Sequence, residues 1–285
     1  MNKKSIILCI FYAWMSILCY GQTGRLFTAD QELSSSMINS IYQDHNGIIW
    51  IATEDGLNKY DGAKFSIYKS DKNDEHSLAN NYVRCVFESS KKECFVGTLS
   101  GLQHYSADAD RFTDIPLILQ DGIIVEPNVA AIEELSNGDL LVGTAGQGLF
   151  KITNTHKGLV GISMEKRIPI PIVNALHEDR NGNLWISAGE NGIFRIDRNQ
   201  QLHCYQKGAN ESEYTISSIC ETPDKQIYIG SLGKGLLKYN PTLDLFEPSI
   251  YANHPELPVK SLLLATPDEI YIGTDGYGLK VYNIQ

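Results

Sequence analysis

Apolar runs of about five residues recur along the chain, separated by short polar turns rich in Gly, Asn and Asp. In the first unit these runs cover residues 38–43, 48–53, 56–60 and 65–68, and Asp44-His45-Asn46-Gly47 stands between the first two. The Asn-Gly pair tolerates the left-handed backbone angles of tight hairpin turns. Short runs with such closely spaced turns predict antiparallel strands rather than helices.

One phrase, read as WIATEDGLNKY in its first copy, occurs six times. The copies begin at Trp50, Phe95, Leu141, Trp185, Tyr228 and Tyr271. Successive copies therefore begin 45, 46, 44, 43 and 43 residues apart, and periods of about 40 to 50 residues are typical of propeller blades and solenoids. A solenoid would need polar caps at its ends, and the sequence shows none. Residues 48–51 are apolar on both faces, as a blade between two neighbours requires.

These repeats predict an all-β fold, a six-bladed β-propeller of four-stranded antiparallel blades. The repeat cores are expected at about residues 36–68, 80–115, 127–164, 171–205, 215–247 and 259–285. The last core holds three strands, and its outer strand is expected at residues 25–28, ahead of the first inner strand. Pairing this N-terminal strand into the last blade would remove two exposed sheet edges. An incomplete seven- or eight-bladed propeller is the alternative, because it would also show six repeats.

The first 21 residues follow a different pattern. Lys3 and Lys4 form a basic head, an apolar run extends from Ile6 to Leu18, and Gly21 marks a cleavage point. This order is typical of a secretory signal peptide, and the run is shorter than the roughly 20 residues that span a bilayer. We therefore expect a signal peptide at 1–21 and a propeller at 22–285. After cleavage we expect no membrane span, and a periplasmic or secreted location.

Charge and motif content narrow the classes of function. The chain has 24 Lys and Arg against 34 Asp and Glu, a formal net charge of −10. An acidic chain without a basic cluster repels phosphate backbones, so nucleic acid is not expected as a partner. The seven His residues are scattered, and neither a G-x-S-x-G nor an H-E-x-x-H motif occurs. We predict no catalytic residue, no metal site and no cofactor.

Several repeated positions are expected to be structural. Asp44 and Asp179 occupy the same turn of two repeats, which favours capping of that turn over carboxylate catalysis. The tyrosines that end the third strands are expected to pack between blades; these are Tyr60, Tyr105, Tyr239 and Tyr282. A glycine before each third strand predicts a backbone bend that a side chain would obstruct. These glycines are Gly56, Gly101, Gly148, Gly192, Gly235 and Gly278.

A ligand site is expected at one end of the ring, where the loops between second and third strands meet the segments leading into the first strands. These loops vary between blades while their framing glycines do not, as binding loops on a rigid scaffold do. Their acids, amides and aromatic ring suit sugar hydroxyls and sugar ring faces. The candidate ligand-binding residues are Glu54, Asp55, Gln147, Glu190, Asn191, Lys234, Asp275 and Tyr277.

The phrase D-x-N-G-x-x-W-I-x-T-x-x-G-L-x-x-Y, complete from Asp44 to Tyr60 and partial from Asp179 to Ile196, resembles the two-component regulator propeller repeat. The resemblance implies the periplasmic sensory region of hybrid regulators that detect glycans. Further propeller and kinase modules are expected if this chain is a fragment of such a regulator. We therefore expect a non-catalytic module that recognises an oligosaccharide or a partner protein. A propeller enzyme, such as a six-bladed lactonase or a glycan lyase, is the alternative.

Overall fold

The computed structural model describes residues 26–28, 32–205, 215–249 and 257–284. The predicted signal peptide lies outside the described residues. Within these residues the structure is built from β-strands arranged in six sheets. The same part of the chain contains no helix of the length and apolarity needed to cross a membrane.

Each sheet is one blade, and the blades follow one another in chain order. The first blade contains β1 (Ile38–Gln43), β2 (Ile49–Thr53), β3 (Gly56–Tyr60) and β4 (Phe65–Tyr68). The second contains β5 (Val83–Glu88), β6 (Cys94–Thr98), β7 (Gly101–Ser106) and β8 (Arg111–Ile115). The third contains β9 (Leu117–Ile118), β10 (Ile124–Val125), β11 (Val129–Glu134), β12 (Leu140–Thr144), β13 (Gly148–Thr155) and β14 (Gly158–Ser163).

The remaining three blades occupy the C-terminal half. The fourth contains β15 (Ala175–Glu178), β16 (Leu184–Ser187), β17 (Ile193–Ile196) and β18 (Leu202–Tyr205). The fifth contains β19 (Thr215–Glu221), β20 (Ile227–Leu232), β21 (Gly235–Asn240) and β22 (Leu245–Pro248). The sixth contains β23 (Val259–Thr266), β24 (Glu269–Thr274) and β25 (Leu279–Asn283).

The first strands of the blades line the axis of the ring. Each one contacts the first strand of the next blade, from β1 through β5, β11, β15 and β19 to β23. The apolar faces of successive blades meet in five buried clusters, one at each junction. Burial of apolar area between sheets is the main stabilising term of such a fold. The predicted six-bladed β-propeller is confirmed.

The two repeated aspartates cap the turn between first and second strands, as predicted. Asp44 Oδ1 accepts the backbone N–H of Asn46 at 2.9 Å, and its Oδ2 accepts the indole N–H of Trp50 at 3.1 Å. Asp179 Oδ2 accepts the indole N–H of Trp185 at 2.8 Å. Each carboxylate therefore orders its turn and also orients a core tryptophan.

A glutamate at the end of the first strand ties successive blades together. The carboxylate of Glu88 accepts the backbone N–H of His45, in the turn of the preceding blade, at 2.8 Å. We call this bond the turn latch. It recurs at the next three junctions, from Ser90 to Glu134, from Ser136 to Glu178 and from Arg180 to Glu221. At the fifth junction Pro223 has no N–H to donate, and Leu264 stands in the register position of the glutamate.

Two tryptophans anchor equivalent aromatic clusters at the first and fourth junctions. Trp185 lies 5.8 Å from Tyr205 of its own blade, and 4.9 and 5.7 Å from Tyr239 and Phe246 of the next, measured between ring centroids. The guanidinium of Arg195 lies 5.5 Å from the Trp185 ring. The same cluster at the first junction contains Trp50, Tyr68, Tyr105, Phe112 and Lys59. The predicted packing of third-strand tyrosines between blades is confirmed at Tyr105 and Tyr239, and Tyr282 likewise contacts Tyr228 of the preceding blade.

A glycine near the end of the second strand allows the next blade to approach closely. A Cβ atom added at Gly143 would lie 2.4 Å from Cγ1 of Val173 in the following blade, far inside van der Waals contact. The same approach occurs at two other junctions, where the pairs are Gly97 with Val129 and Gly230 with Val259. The valine fills the space that a side chain would otherwise occupy.

The predicted closure of the ring by the N-terminal strand is wrong. Residues 26–28 form no strand, and the sixth sheet has three strands among the described residues. Phe27 packs instead against Tyr60 and Phe65 of the first blade, at centroid distances of 5.2 and 5.0 Å. These aromatic contacts hold residues 26–28 against the first blade, so they do not pair with β25.

Candidate functional site

The connections between second and third strands lie at one end of the ring. The glycine that opens each third strand has a positive φ, between 68° and 129°, which turns the chain sharply. This confirms the predicted bend in all six blades. The variable residues of each connection come immediately before this bend. They therefore share that end of the ring with the segments leading into the first strands.

In the first blade, the predicted site residues form hydrogen bonds with other residues of the chain. Asp55 accepts hydrogen bonds from Lys69 Nζ at 2.6 Å and from Asn81 Nδ2 at 3.1 Å. Glu54 accepts a bond from the Tyr82 hydroxyl at 3.2 Å. All three donors lie in the connection between the first and second blades. The two carboxylates thus order this connection through these three hydrogen bonds.

Gln147 lines a cleft of about 380 Å³ at the junction of the third and fourth blades. We call it the Gln147 cleft. Ile168 and Ile170 contribute buried apolar surface, and Pro171 and Glu165 complete the mouth. The side chains of Gln147 and Glu165 are exposed, and the hydrogen bonds described for these two residues are made by their backbone N–H groups. A cleft of this volume falls within the range of about 300–1,000 Å³ that holds small ligands.

The walls of the Gln147 cleft are fixed by backbone bonds. The N–H groups of Gly146 and Gly148 both donate to the carbonyl of Pro171, at 3.0 and 2.7 Å. Thr144 Oγ1 accepts the backbone N–H of Gln147 at 3.1 Å. The amide side chain of Gln147 therefore projects from a rigid loop, which lowers the entropy lost when a ligand binds.

A hairpin that the sequence did not predict stands beside this cleft. β9 pairs with β10 and also runs parallel to β14, so the third blade gains two strands. Leu119, in the hairpin turn, lines the Gln147 cleft. On the other side, Ile124, Val125 and Glu126 line a second cleft of about 320 Å³. The hairpin separates the two clefts and exposes Ile123 and Ile124 at its tip.

The other predicted residues lie on the remaining blades. Glu190 and Asn191 form a single 3-10 turn in the fourth blade. Lys234 precedes β21 in the fifth blade, and Asp275 and Tyr277 lie between β24 and β25 in the sixth. The structure therefore distributes the candidate set around the end of the ring. Of the eight candidate ligand-binding residues, Gln147 lines one of the clefts described above.

Sequence reasoning missed a bulge at the start of the first strands. In five blades the pairing between first and second strands shifts by one residue, and the extra residues are Asn39, Arg84, Ala130, Ser217 and Lys260. Asn39 Nδ2 donates to the carbonyl of Val83 in the next blade at 2.8 Å, and Lys260 pairs with Asp275 at 3.3 Å. Bulges re-aim side chains, and here they place polar and basic groups where the inner strands begin.

Glu133 and His177 occupy equivalent positions on neighbouring inner strands. Their side chains approach to 3.7 Å, and His177 lies 3.6 Å from Glu221 of the following blade. Burial raises the pKa of Glu133 to about 7 and lowers the pKa of His177. Among the described residues, no group of three or more His, Cys, Asp or Glu side chains is arranged to hold a metal ion.

We expect Glu133→Gln to stabilise the protein more at pH 8 than at pH 5. The pKa of Glu133 is about 7 in the folded protein, compared with 4.5 for an ordinary glutamate. The folded protein therefore keeps this proton to a higher pH than the unfolded chain does. Stability therefore falls as the pH rises from about 4.5 to about 7, and the neutral amide removes this loss. The free energy of unfolding of the variant relative to the parent should rise by about 2 kcal/mol across that range. Urea unfolding at both pH values measures it, and an equal difference at the two pH values would contradict the prediction.

The family model of the two component regulator propeller matches residues 32–55 and 168–190. Both segments contain the Asp-x-Asn-Gly turn and the tryptophan of the following strand. Over 83 residues, the chain is 32% identical to Histidine kinase P4 of Formosa agariphila. The aligned region is 28% of this chain and 6% of that protein.

Solved structures share the fold. The extracellular domain of a hybrid two component system from B. thetaiotaomicron superposes with a TM-score of 0.76 and 21% identity, over 92% of this chain and 35% of that one. Virginiamycin B lyase from Staphylococcus aureus gives a TM-score of 0.62 at 14% identity, over 91% of this chain and 87% of that one. This chain thus spans about a third of the length of the hybrid-system domain. The chain is therefore a β-propeller in which residues 32–55 and 168–190 match the two component regulator propeller family.

Proposed function

We propose that this propeller is a non-catalytic recognition module that binds an oligosaccharide in the Gln147 cleft, outside the cytoplasm. The observation that carries the proposal is the cleft itself. The exposed amide of Gln147 stands on a rigid loop, and the exposed carboxylate of Glu165 lies on the segment that leads into the fourth blade. Amide and carboxylate groups bond sugar hydroxyls as donor and acceptor. The flat faces of Pro169 and Pro171 offer apolar area to the C–H face of a sugar ring.

The similarity to extracellular domains of hybrid two component systems supports a sensory role. A sensor needs a ligand that is bound and released without chemical change, and the cleft offers binding groups on a stiff scaffold. Signal output would then depend on modules joined to or contacted by the propeller. An extracytoplasmic location agrees with the basic and apolar N-terminal segment of the sequence.

Titration calorimetry with neutral and uronic-acid oligosaccharides of four to six sugars tests the proposal. We expect one of these probes to bind, and Gln147→Ala to weaken its affinity by about tenfold, since one hydrogen bond to the ligand is lost. Tyr277→Ala is the matched control. That exposed side chain lies on the sixth blade, away from the cleft, so its loss should leave the affinity unchanged.

Two outcomes would contradict the proposal. If Tyr277→Ala weakens binding while Gln147→Ala does not, the ligand lies elsewhere on the ring. If the bound oligosaccharide is cleaved during the titration, the propeller is an enzyme. Product analysis of the same sample by mass spectrometry separates binding from turnover.

A further inference from the structure

The Gln147 cleft has a negative charge and no positive charge among the described residues that line it. Glu165 is the charged residue of this lining, and its side chain is exposed at the mouth of the cleft. The other lining groups are the amide of Gln147, glycine backbone and apolar side chains. A sugar in this cleft would therefore lie near a carboxylate, and no basic side chain of the lining offsets that charge.

The basic residues next to Glu165 in sequence do not supply a cation to the cleft. Arg167 donates from Nη2 to Gln200 Oε1, and it lines a smaller cleft of about 200 Å³. That smaller cleft also contains Asn137, which belongs to a turn between first and second strands, so it lies at the other end of the ring. Lys166 is exposed and lines neither cleft. The segment thus directs its carboxylate and its guanidinium to opposite ends of the ring.

The second cleft, on the other side of the β9–β10 hairpin, has the same charge character. Asp114 and Glu126 line it, and no Lys or Arg is among its described lining residues. Both acidic residues are exposed. An anionic sugar would therefore find carboxylates and no cation in the cleft on either side of the hairpin.

We propose that the Gln147 cleft selects uncharged oligosaccharides over those that carry carboxylate or sulfate groups, and that Glu165 determines this specificity. The inference rests on the proposed function, since it concerns the ligand of the same cleft. The Glu165 carboxylate can accept hydrogen bonds from the hydroxyls of an uncharged sugar, but it repels a sugar unit that carries its own negative charge. Two like charges about 5 Å apart at a protein surface repel each other enough to weaken binding about fivefold.

Titration calorimetry with matched probes tests this inference. The probes are tetragalacturonic acid with its methyl ester, and a tetramer of mannuronic acid with mannotetraose of the same linkage. At about 0.01 M salt, where the Debye length is about 30 Å, we expect the parent to bind the uncharged member of at least one pair about fivefold more tightly than the acidic member. At about 1 M salt, where this length is about 3 Å, the difference should fall to about twofold or less.

Two variants make the test specific to one side chain. Glu165→Gln keeps the size of the side chain and removes its charge, so at low salt the two members of a pair should bind within about twofold of each other. Glu126→Gln is the matched control, because it removes an exposed carboxylate from the second cleft and should leave the fivefold difference in place. Both variants should melt within ~2 °C of the parent, since both side chains are exposed.

Four results would overturn the inference. If the parent binds the acidic member of each pair at least as tightly as the uncharged one, the cleft does not select against charge, although the proposed function stands. If the difference survives in Glu165→Gln, or disappears equally in Glu126→Gln, specificity does not depend on Glu165. If neither pair binds to the parent at all, the proposed function fails and this inference fails with it.

Discussion

Replacing Trp185 with Ala is expected to lower the free energy of unfolding by about 3–5 kcal/mol, the range for removing a large buried side chain. The indole is 1% exposed and lies between two blades. Its removal would leave a cavity bordered by Tyr205 and Tyr239 and would deprive the buried Asp179 of a hydrogen-bond donor at 2.8 Å. Asp179 would keep its bonds from Asn181 and Asn183, so the cavity accounts for most of the expected loss.

Urea unfolding followed by far-UV circular dichroism measures this loss. Tyr277→Ala is the control, because that ring is 62% exposed and its removal should change stability by less than about 0.5 kcal/mol. Trp185→Phe should fall between the two, since it keeps apolar volume but cannot donate to Asp179. A loss for Trp185→Ala no larger than that of Tyr277→Ala would show that the blades do not depend on this cluster.

Gly143→Ala is expected to destabilise the protein by about 1–3 kcal/mol, the usual effect of overpacking. The new methyl group would lie 2.4 Å from Cγ1 and 3.2 Å from the carbonyl oxygen of Val173. The fourth blade would have to move outward to remove this contact. Such a shift would also stretch the turn latch from the Ser136 N–H to Glu178 at the same junction.

Gly273→Ala is the matched control for this substitution. Its methyl group would meet the hydroxyl of Ser261, the end of a side chain that can rotate, and not a neighbouring blade. The midpoint of thermal or urea unfolding should therefore fall much less than for Gly143→Ala. Equal losses for the two variants would mean that local strand geometry, rather than the approach of the next blade, requires the glycine.

The blades could be predicted because each strand follows its own short pattern. The turn from Asp44 to Gly47 and the glycine at position 56 mark the ends of strands through local backbone preference, which neighbouring residues determine. Their spacing repeats six times, so an error in one blade would be corrected by the others. The closure of the ring could not be predicted in the same way. Phe27 can pack on Tyr60 whether or not its backbone pairs with β25, and only the three-dimensional structure separates these arrangements.

The location of the candidate residues on the ring could be predicted in part, and their role in binding stays a prediction. The end of the ring could be identified because loops of one class lie together, and Gln147 does line a cleft there. Glu54 and Asp55 are instead bound by Lys69, Asn81 and Tyr82, partners that are distant from them in sequence. The hairpin of β9 and β10 was missed because two-residue strands carry no periodic signal.

The turn latch also depends on a partner in another repeat, so no single repeat reveals it. A glutamate at the end of a strand is an ordinary surface residue until the turn of the preceding blade donates to it. A signal was nevertheless present. The same repeated position holds a glutamate in four blades, at Glu88, Glu134, Glu178 and Glu221. In the sixth blade this position is Leu264, and the donor position of the fifth blade is Pro223.

The missing latch at the fifth junction has a mechanical consequence. Local opening requires less free energy where fewer contacts oppose it. The sixth blade lacks the turn latch at its junction with the fifth blade, and Leu279 on its other face is 64% exposed. We therefore expect this blade to open locally more readily than the other five. Proteases that cut locally opened segments should then cleave within residues 259–283 before they cleave the other five blades.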